Sequence, residues 1–331
     1  MHRRTLLAGI TAAATLMITA PRPALAQIAP RPGWPERPVR VIVPYPPGGS
    51  NDILARILAE ALRDRLGQPF IVENRAGAGG NIGADAVAKA PPDGHTLLLT
   101  APGPLAINQH VYPSMPFDPL NDLTPVALVA TVPIVLMVHN AVPAQTMQEL
   151  VALAKARPGQ LSFGSSGNAS TNHLAGELLK TMAGIDLVHV PYRGASPAML
   201  DLIAGTIGLM FDNMPGSIGH IREGRVRALA VAGQHRVPLL PQVPTIAESG
   251  LPGFRAEAWF GLACPGGTPE QLVRAINLDV RAALGLPRVQ AQFVEAGALS
   301  TTLDPAAFAR FVAAERERWG EVVRTSGAKM E

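Results

Sequence analysis

A short apolar run, Val39–Val43, stops at Tyr45-Pro46-Pro47-Gly48-Gly49-Ser50-Asn51-Asp52, and an amphipathic pattern over 53–66 starts beyond it. That order reads as a strand, a glycine turn and a helix N-terminus. A strand that feeds a helix through so short a turn commits the chain to an α/β architecture with parallel pairing. Adjacent glycines let backbone N–H groups converge, and the helix start adds unpaired donors and partial positive charge, which together suit an anion. The same glycines also suit a tight βα turn that uses them only for backbone freedom. The rest of the sequence has to separate the two readings.

The plan recurs along the chain. Residues 70–74 read as a second strand, 84–90 as a helix and 96–100 as a buried strand, so the sheet is expected to be mostly parallel. Residues 102–122 read as an irregular connection. Residues 124–137 are nearly all apolar or β-branched but contain Pro125 and Pro133, and read as two strand pieces passing from one domain into another. There the pattern repeats: strand 161–163, a second glycine-serine loop 164–171, helix 172–182, and further strands and helices to 231. Residues 256–263 read as a strand returning to the first domain, followed by three helices with proline at or near their first turns. The expected domains are 27–136 with 256–331, and 137–255.

At 331 residues the chain is long for one domain and comfortable for two, and 47% hydrophobic residues exclude a disordered chain. Residues 1–26 read as an export signal: Arg3-Arg4, an apolar run over 6–20, then Ala24-Leu25-Ala26 as a small-residue cleavage site. The twin arginines have a Tat flavour, but His2 stands where Ser or Thr is usual, which favours Sec export. The signal holds three of the 28 basic residues and none of the 25 acidic ones, so the remainder is formally neutral. A nucleic-acid surface is therefore not expected, and sparse aromatics agree. Cys264 is the single cysteine, so no intrachain disulfide can form.

Enzyme motifs fail one by one. Gly77-Ala78-Gly79-Gly80-Asn81-Ile82 has Ile where a dinucleotide fingerprint needs its third glycine, and no Gly-Lys-Ser/Thr triplet marks a P-loop. Gly164-Ser165-Ser166-Gly167-Asn168 ends in Asn where a nucleophile elbow needs Gly. The histidines lack metal-ligand spacing, so no metal is expected, and no cofactor either. Two strand-loop-helix turns remain, at 47–52 and 164–171. The second is rich in hydroxyls and carries no charge. Paired on two domains, they would make a cleft with donors on both walls, suited to a small molecule with a carboxylate at each end.

Several stretches together resemble the substrate-binding proteins of tripartite tricarboxylate transporters, the Bug (Bordetella uptake gene) family. They are 43–52, Glu73-Asn74-Arg75-Ala76-Gly77-Ala78-Gly79-Gly80, Pro92-Asp93-Gly94-His95-Thr96-Leu97, Val190-Pro191-Tyr192-Arg193-Gly194 and Met210-Phe211-Asp212-Asn213. The resemblance implies a periplasmic, two-domain type II Venus flytrap, each domain a mostly parallel sheet flanked by helices, acting as a monomer with membrane permease subunits as partners. In that family ligand carboxylates are held largely by backbone amides, small hydroxyls and water. Carried over, one wall is Tyr45, Pro47, Gly48, Gly49 and Asp52, with Thr100 and Ala101 at a strand end. The other is Ser165, Ser166, Gly167, Ser170 and Thr171, with His173, Tyr192 and Asp212 nearby. Asp52 is expected to brace its loop while the Gly48 and Gly49 amides face the ligand. Two alternatives stay open: an exported hydrolase using Ser165 or Ser166 with His173, and a ligand sensor for a membrane receptor.

Overall fold

The computed structural model describes residues 33–326. Residues 1–26, read above as an export signal, lie outside the described residues. In chain order the elements are β1 (Val39–Val43), α1 (Ser50–Leu66), β2 (Phe70–Asn74), α2 (Asn81–Ala88), β3 (Thr96–Thr100), α3 (Asn108–Val111), β4 (Leu123–Val138), α4 (Met147–Ala156), β5 (Ser162–Ser165), α5 (Thr171–Ala183), β6 (Val188–Pro191), α6 (Ala195–Ala204), β7 (Leu209–Asn213), α7 (Met214–Arg222), β8 (Arg227–Val231), β9 (Glu257–Pro265), α8 (Glu270–Leu284), α9 (Pro287–Glu295), β10 (Leu299–Ser300) and α10 (Pro305–Ser326). The strands join in the order β2-β1-β3-β9-β4-β7-β5-β6, with β8 and β10 also pairing β4.

The repeated plan of the sequence becomes a repeated sheet. β2, β1 and β3 are parallel in the first half, and β6, β5 and β7 are parallel in the second. Antiparallel pairing enters where the chain crosses between halves. β9 pairs β3, β4 pairs β9, and β4 also pairs β7 and β8. The α1 helix ends where the sequence predicts, at Gly67, whose φ of 73° is left-handed and whose N–H reaches Arg63 O at 2.8 Å.

Two expectations need correction. Residues 124–137 form one strand, β4, rather than two pieces. Its prolines fall where a ladder tolerates them: Pro125 at a register shift, and Pro133 as the last partner of β9 before β7 takes over at Ile134. Residues 102–122 are not irregular throughout. A π-helical turn, Gly103–Ile107, runs into α3, with Pro102 and Pro104 in its first turn, where a missing N–H costs nothing. Leu105, Ala106 and Ile107 are buried, so that turn is part of the core.

Helices cover the sheet through apolar faces and a few satisfied polar anchors. Trp259 of β9 sets its ring edge-on against Phe308 and Phe311 of α10, and its indole N–H donates to Glu315 at 2.8 Å. Asn277 of α8 is 2% exposed and donates through Nδ2 to Val126 O at 2.8 Å and Leu303 O at 2.9 Å. The Val126 carbonyl is buried and has no water to replace the lost donor. Asn277→Ala is therefore expected to cost about 2 kcal/mol of unfolding free energy in a urea titration, with ligand affinity unchanged. Among the described residues no helix is long and apolar enough to cross a membrane.

Candidate functional site

The C-terminal ends of β1, β3, β5 and β7 open on one cavity with about 510 Å³ of open space, mouth included. It is walled by Tyr45, Pro46, Gly49, Ser50 and Asn51 after β1, and by Ala101, Pro102 and Gly103 after β3. Ser166, Ser170 and Thr171 line it after β5, with Ala195 and Asn213 completing it. Strand ends of an α/β sheet are where ligands commonly sit. Among the described residues no charged side chain lines this cavity. Its polarity comes from hydroxyls, amides and helix ends.

The helices α1, α5, α6 and α7 all begin here. Only α5 has a side-chain cap, Ser170 Oγ accepting from His173 N at 3.1 Å. Gly49, Gly194 and Asn213, the N-cap residues of the other three, make no side-chain cap bond. The first-turn N–H groups of α1 and α6 thus have no side-chain cap, whereas in α7 Pro215 has no N–H and Gly216 N is taken by Ser50 Oγ. Each such end stabilises a nearby anion by roughly 0.3–1 kcal/mol, and up to ~2 when partly buried. The two halves also touch at the rim: Ser196 Oγ donates to Pro47 O at 3.1 Å, and Gly216 N donates to Ser50 Oγ at 3.1 Å.

Asp52 shapes the first wall from behind. Its buried carboxylate accepts from Gly48 N at 3.0 Å, from Arg56 at 2.8 and 3.0 Å, and from Asn74 Nδ2 at 3.0 Å. Asn74 Nδ2 also reaches Tyr45 O at 3.0 Å. Burial pushes the Asp52 carboxyl up, but these hydrogen bonds outweigh it and hold it below the usual carboxylate range. The Gly48 amide is therefore engaged with Asp52 and does not face a ligand, contrary to the sequence reading; the Gly49 end of the loop lines the cavity. Thr100, fully buried, turns its hydroxyl to Ala101 O at 3.1 Å.

The second wall is braced in the same fashion. Ser165 is fully buried, with Oγ 2.7 Å from His189 Nε2 and accepting from Gly167 N at 3.2 Å. His173 stacks on His189 with ring centroids 3.9 Å apart, and its Nδ1 accepts from Ala169 N at 3.1 Å. Asp212 accepts from Asn172 Nδ2 and Ser217 Oγ, each at 3.0 Å, and burial pushes its carboxyl up to about 6. Tyr192 donates its hydroxyl to Asp201 at 2.6 Å, and burial followed by that carboxylate pushes the phenol up to about 12.

Of the residues singled out in the sequence, Tyr45, Gly49, Ala101, Ser166, Ser170 and Thr171 line the main cavity. Gly167 and Tyr192 line an adjoining chamber that shares Tyr45, Pro46 and Ser166 with it and also carries Arg193. Pro47, Gly48 and Asp212 lie on a further recess beside α6 and α7. Asp52, Thr100, Ser165 and His173 stand behind the walls as braces. Sequence reasoning missed Asn51 and Asn213, although both lie in stretches quoted above, and it missed His189. The hydrolase geometry is absent: Ser165 meets His189 rather than His173, and among the described residues no carboxylate hydrogen-bonds His189.

The stacked histidines predict a pH response. Burial, then the charge of Lys180, lowers His173 to about 4, and burial followed by His173 lowers His189 to about 3. The unfolded chain then binds protons more readily than the native one. Their stabilising effect is complete above about pH 6.5 and is lost as pH falls toward the native values. Asp212 acts oppositely, favouring the native state as pH falls through about 6. Comparison with His173→Gln isolates the histidine. Between pH 7 and 4 the wild type should lose about 3 kcal/mol relative to the variant in urea titrations.

Comparisons with known proteins decide the family. The profile described as "Tripartite tricarboxylate transporter family receptor" matches residues 54–328. The chain belongs to that family. It is 42% identical to protein BugT of Bordetella pertussis over 298 residues, covering 90% of this chain and 91% of the relative. The solved structure of R. palustris Rpa4515 with adipate matches with a TM-score of 0.88 and 41% identity, over 90% of this chain and all of that one. MatC (Rpa3494) from Rhodopseudomonas palustris with bound malate matches with a TM-score of 0.83 and 35% identity, over 88% of this chain and 100% of that one. As in those relatives, the fold is that of the family's periplasmic binding proteins.

Proposed function

We propose that this protein is an exported solute-binding protein of the periplasm. It captures a small carboxylate-bearing ligand in the cavity and presents it to the membrane permease of a tripartite tricarboxylate-type transporter. It performs no chemistry on the ligand. Residues 27–136 with 256–331 and residues 137–255 act as the two jaws, joined by β4 and by the segment leading into β9, and the protein works as a monomer. One observation supports the reading: among the described residues the cavity has no charged lining side chain, yet the starts of α1 and α6, which have no side-chain caps, face it. Such a site stabilises negative charge by fixed dipoles and neutral donors. The carboxylate ligands of the relatives agree with it.

Carboxylate binding is tested on signal-free protein, unfolded and refolded to strip any co-purified ligand. Calorimetry against di- and tricarboxylates, amino acids and aromatic acids should find at least one carboxylate binding with one-to-one stoichiometry. A panel without a binder, or a binder lacking a carboxylate, contradicts the reading. Mass spectrometry of the ligand carried through a native purification names the natural one.

A further inference from the structure

A second concavity, with about 670 Å³ of open space, mouth included, shares no lining residue with the main cavity or the two recesses beside it. It lies where the chain crosses between the halves. Pro133 of β4 and Glu257 of β9 are register partners there, the last before β4 passes to β7. One wall, Gly233 with 235–239, follows β8 and belongs to the second half. The other, Val294 with 297–299, joins α9 to β10 and belongs to the first. Val237 and Ala298 are buried, while Val294 and Leu299 are 53% and 58% exposed. Apolar side chains left exposed around a concavity mark a binding surface.

The lining is apolar apart from His235, Arg236 and Glu257. Arg236 pairs with Glu248 at 2.9 Å, and Glu257 with Arg255 at 3.0 Å. Both charged groups of the lining are thus already matched. An ion entering here would give up water without gaining a free counter-charge. A neutral apolar molecule gives up little and gains buried area.

Packing couples this concavity to the main cavity. A Cβ on Gly297 would collide with Met214 Cγ and reach Leu239 Cδ1 at 3.3 Å, so this glycine lies tight against α7 and the opposite wall. Met214 opens α7 and follows Asn213, which lines the main cavity. The walls come from different halves, so their spacing depends on how the halves sit. In this structure the halves meet at Pro47–Ser196 and Ser50–Gly216. An occupant that fits the present spacing favours the present arrangement.

We infer that this concavity is a second ligand site, for a neutral apolar small molecule, and that its occupant favours closure on the carboxylate. The closure part rests on the two-jaw reading above; the site does not. A small molecule suits it better than a docked protein, because a protein seated on both walls would lock jaws that capture and release must move.

The test titrates stripped wild-type protein with N-phenyl-1-naphthylamine, a neutral dye that brightens in apolar surroundings. Saturable one-to-one binding is expected. The same skeleton bearing a sulfonate, 8-anilinonaphthalene-1-sulfonate, should bind about tenfold more weakly or worse. Leu299→Arg and Val294→Trp, both at exposed positions, should each weaken the neutral dye by about tenfold or more. Thermal melting confirms that each variant is folded, and either one suffices if the other is not. With the dye saturating, the carboxylate found by the panel above should bind about fivefold tighter or more, and it should tighten the dye by the same factor. No dye binding, sulfonate binding as tight as the neutral dye's, or undiminished affinity in the folded variants overturns the site. Displacement of the dye by the carboxylate also overturns it, since the dye would then occupy the main cavity. Dye binding without mutual tightening overturns the coupling to closure. A silent carboxylate panel with dye binding intact refutes the proposed function and leaves the second site standing.

Discussion

Replacing Ser166 by tryptophan should cost at least ~100-fold in ligand affinity while moving unfolding free energy by no more than about 0.5 kcal/mol. Ser166 lines the main cavity and the adjoining chamber alike, so a large ring there obstructs both. It is only partly buried, and its hydroxyl has no hydrogen-bond partner among the described residues. The fold therefore loses little when the side chain changes. Calorimetry and urea titration on the same preparation separate the two effects. Undiminished affinity would place the ligand elsewhere.

Asp52→Ala should have the opposite profile, damaging stability and binding together. The carboxylate is 5% exposed and is the shared acceptor for Gly48 N, Arg56 and Asn74 Nδ2. Arg56 is about half exposed, at 54%, and recovers water when its partner goes. The Gly48 N–H and the half-buried Asn74 amide lose their acceptor. The expected loss is about 2–3 kcal/mol, below the full figure for a buried pair because one partner is rehydrated. Affinity should fall by roughly tenfold or more, since the loop whose far end lines the cavity loses the brace that fixes Gly48. Asp52→Asn keeps one acceptor for Gly48 and should fall between the two on both measurements. An alanine variant with native stability would remove the bracing role.

The parts of this molecule that were legible in the sequence are those set by local rules. β1 is a short, mostly apolar run ended by a glycine turn, β5 runs directly into the second glycine-serine loop, and α1 and α5 follow with clear amphipathic or capped starts. Six of the candidate residues line one cavity, because both loops sit at strand ends that the topology turns to the same side. What was not legible depends on partners distant in sequence. Pro125 and Pro133 look like strand breakers until β9 and β7 show where each ladder bond is not needed. Pro102 and Pro104 look like loop residues, yet each lies where a helical turn begins. The Ser165–His189 contact follows from the parallel register of β5 and β6, in which Phe163 faces His189, and no spacing along the chain announces it. Asn213 looks like a helix cap by residue type. Only its unpartnered oxygen shows that it is not acting as one.

The same register explains why a serine and two histidines near a glycine loop do not amount to a catalytic set. Ser165 is sealed, and the stack of Phe163, His189 and His173 supports the loop from beneath. The wall that faces the cavity is built from Ser166, Ser170 and Thr171; the Ser170 hydroxyl donates to Gly167 O and the Thr171 hydroxyl to Asn172 Oδ1, and among the described residues none of the three hydroxyls hydrogen-bonds a histidine ring or a carboxylate.

The central claim is that a neutral cavity, faced by helix ends from both halves, binds a carboxylate. It is tested most directly by titrating stripped wild-type and Ser166→Trp protein, side by side in a calorimeter, with the carboxylate identified by mass spectrometry of the natively purified protein. The account predicts saturable one-to-one binding to the wild type that vanishes in the variant at unchanged fold stability. Equal heats from both proteins, or a co-purified ligand that carries no carboxylate, would contradict it.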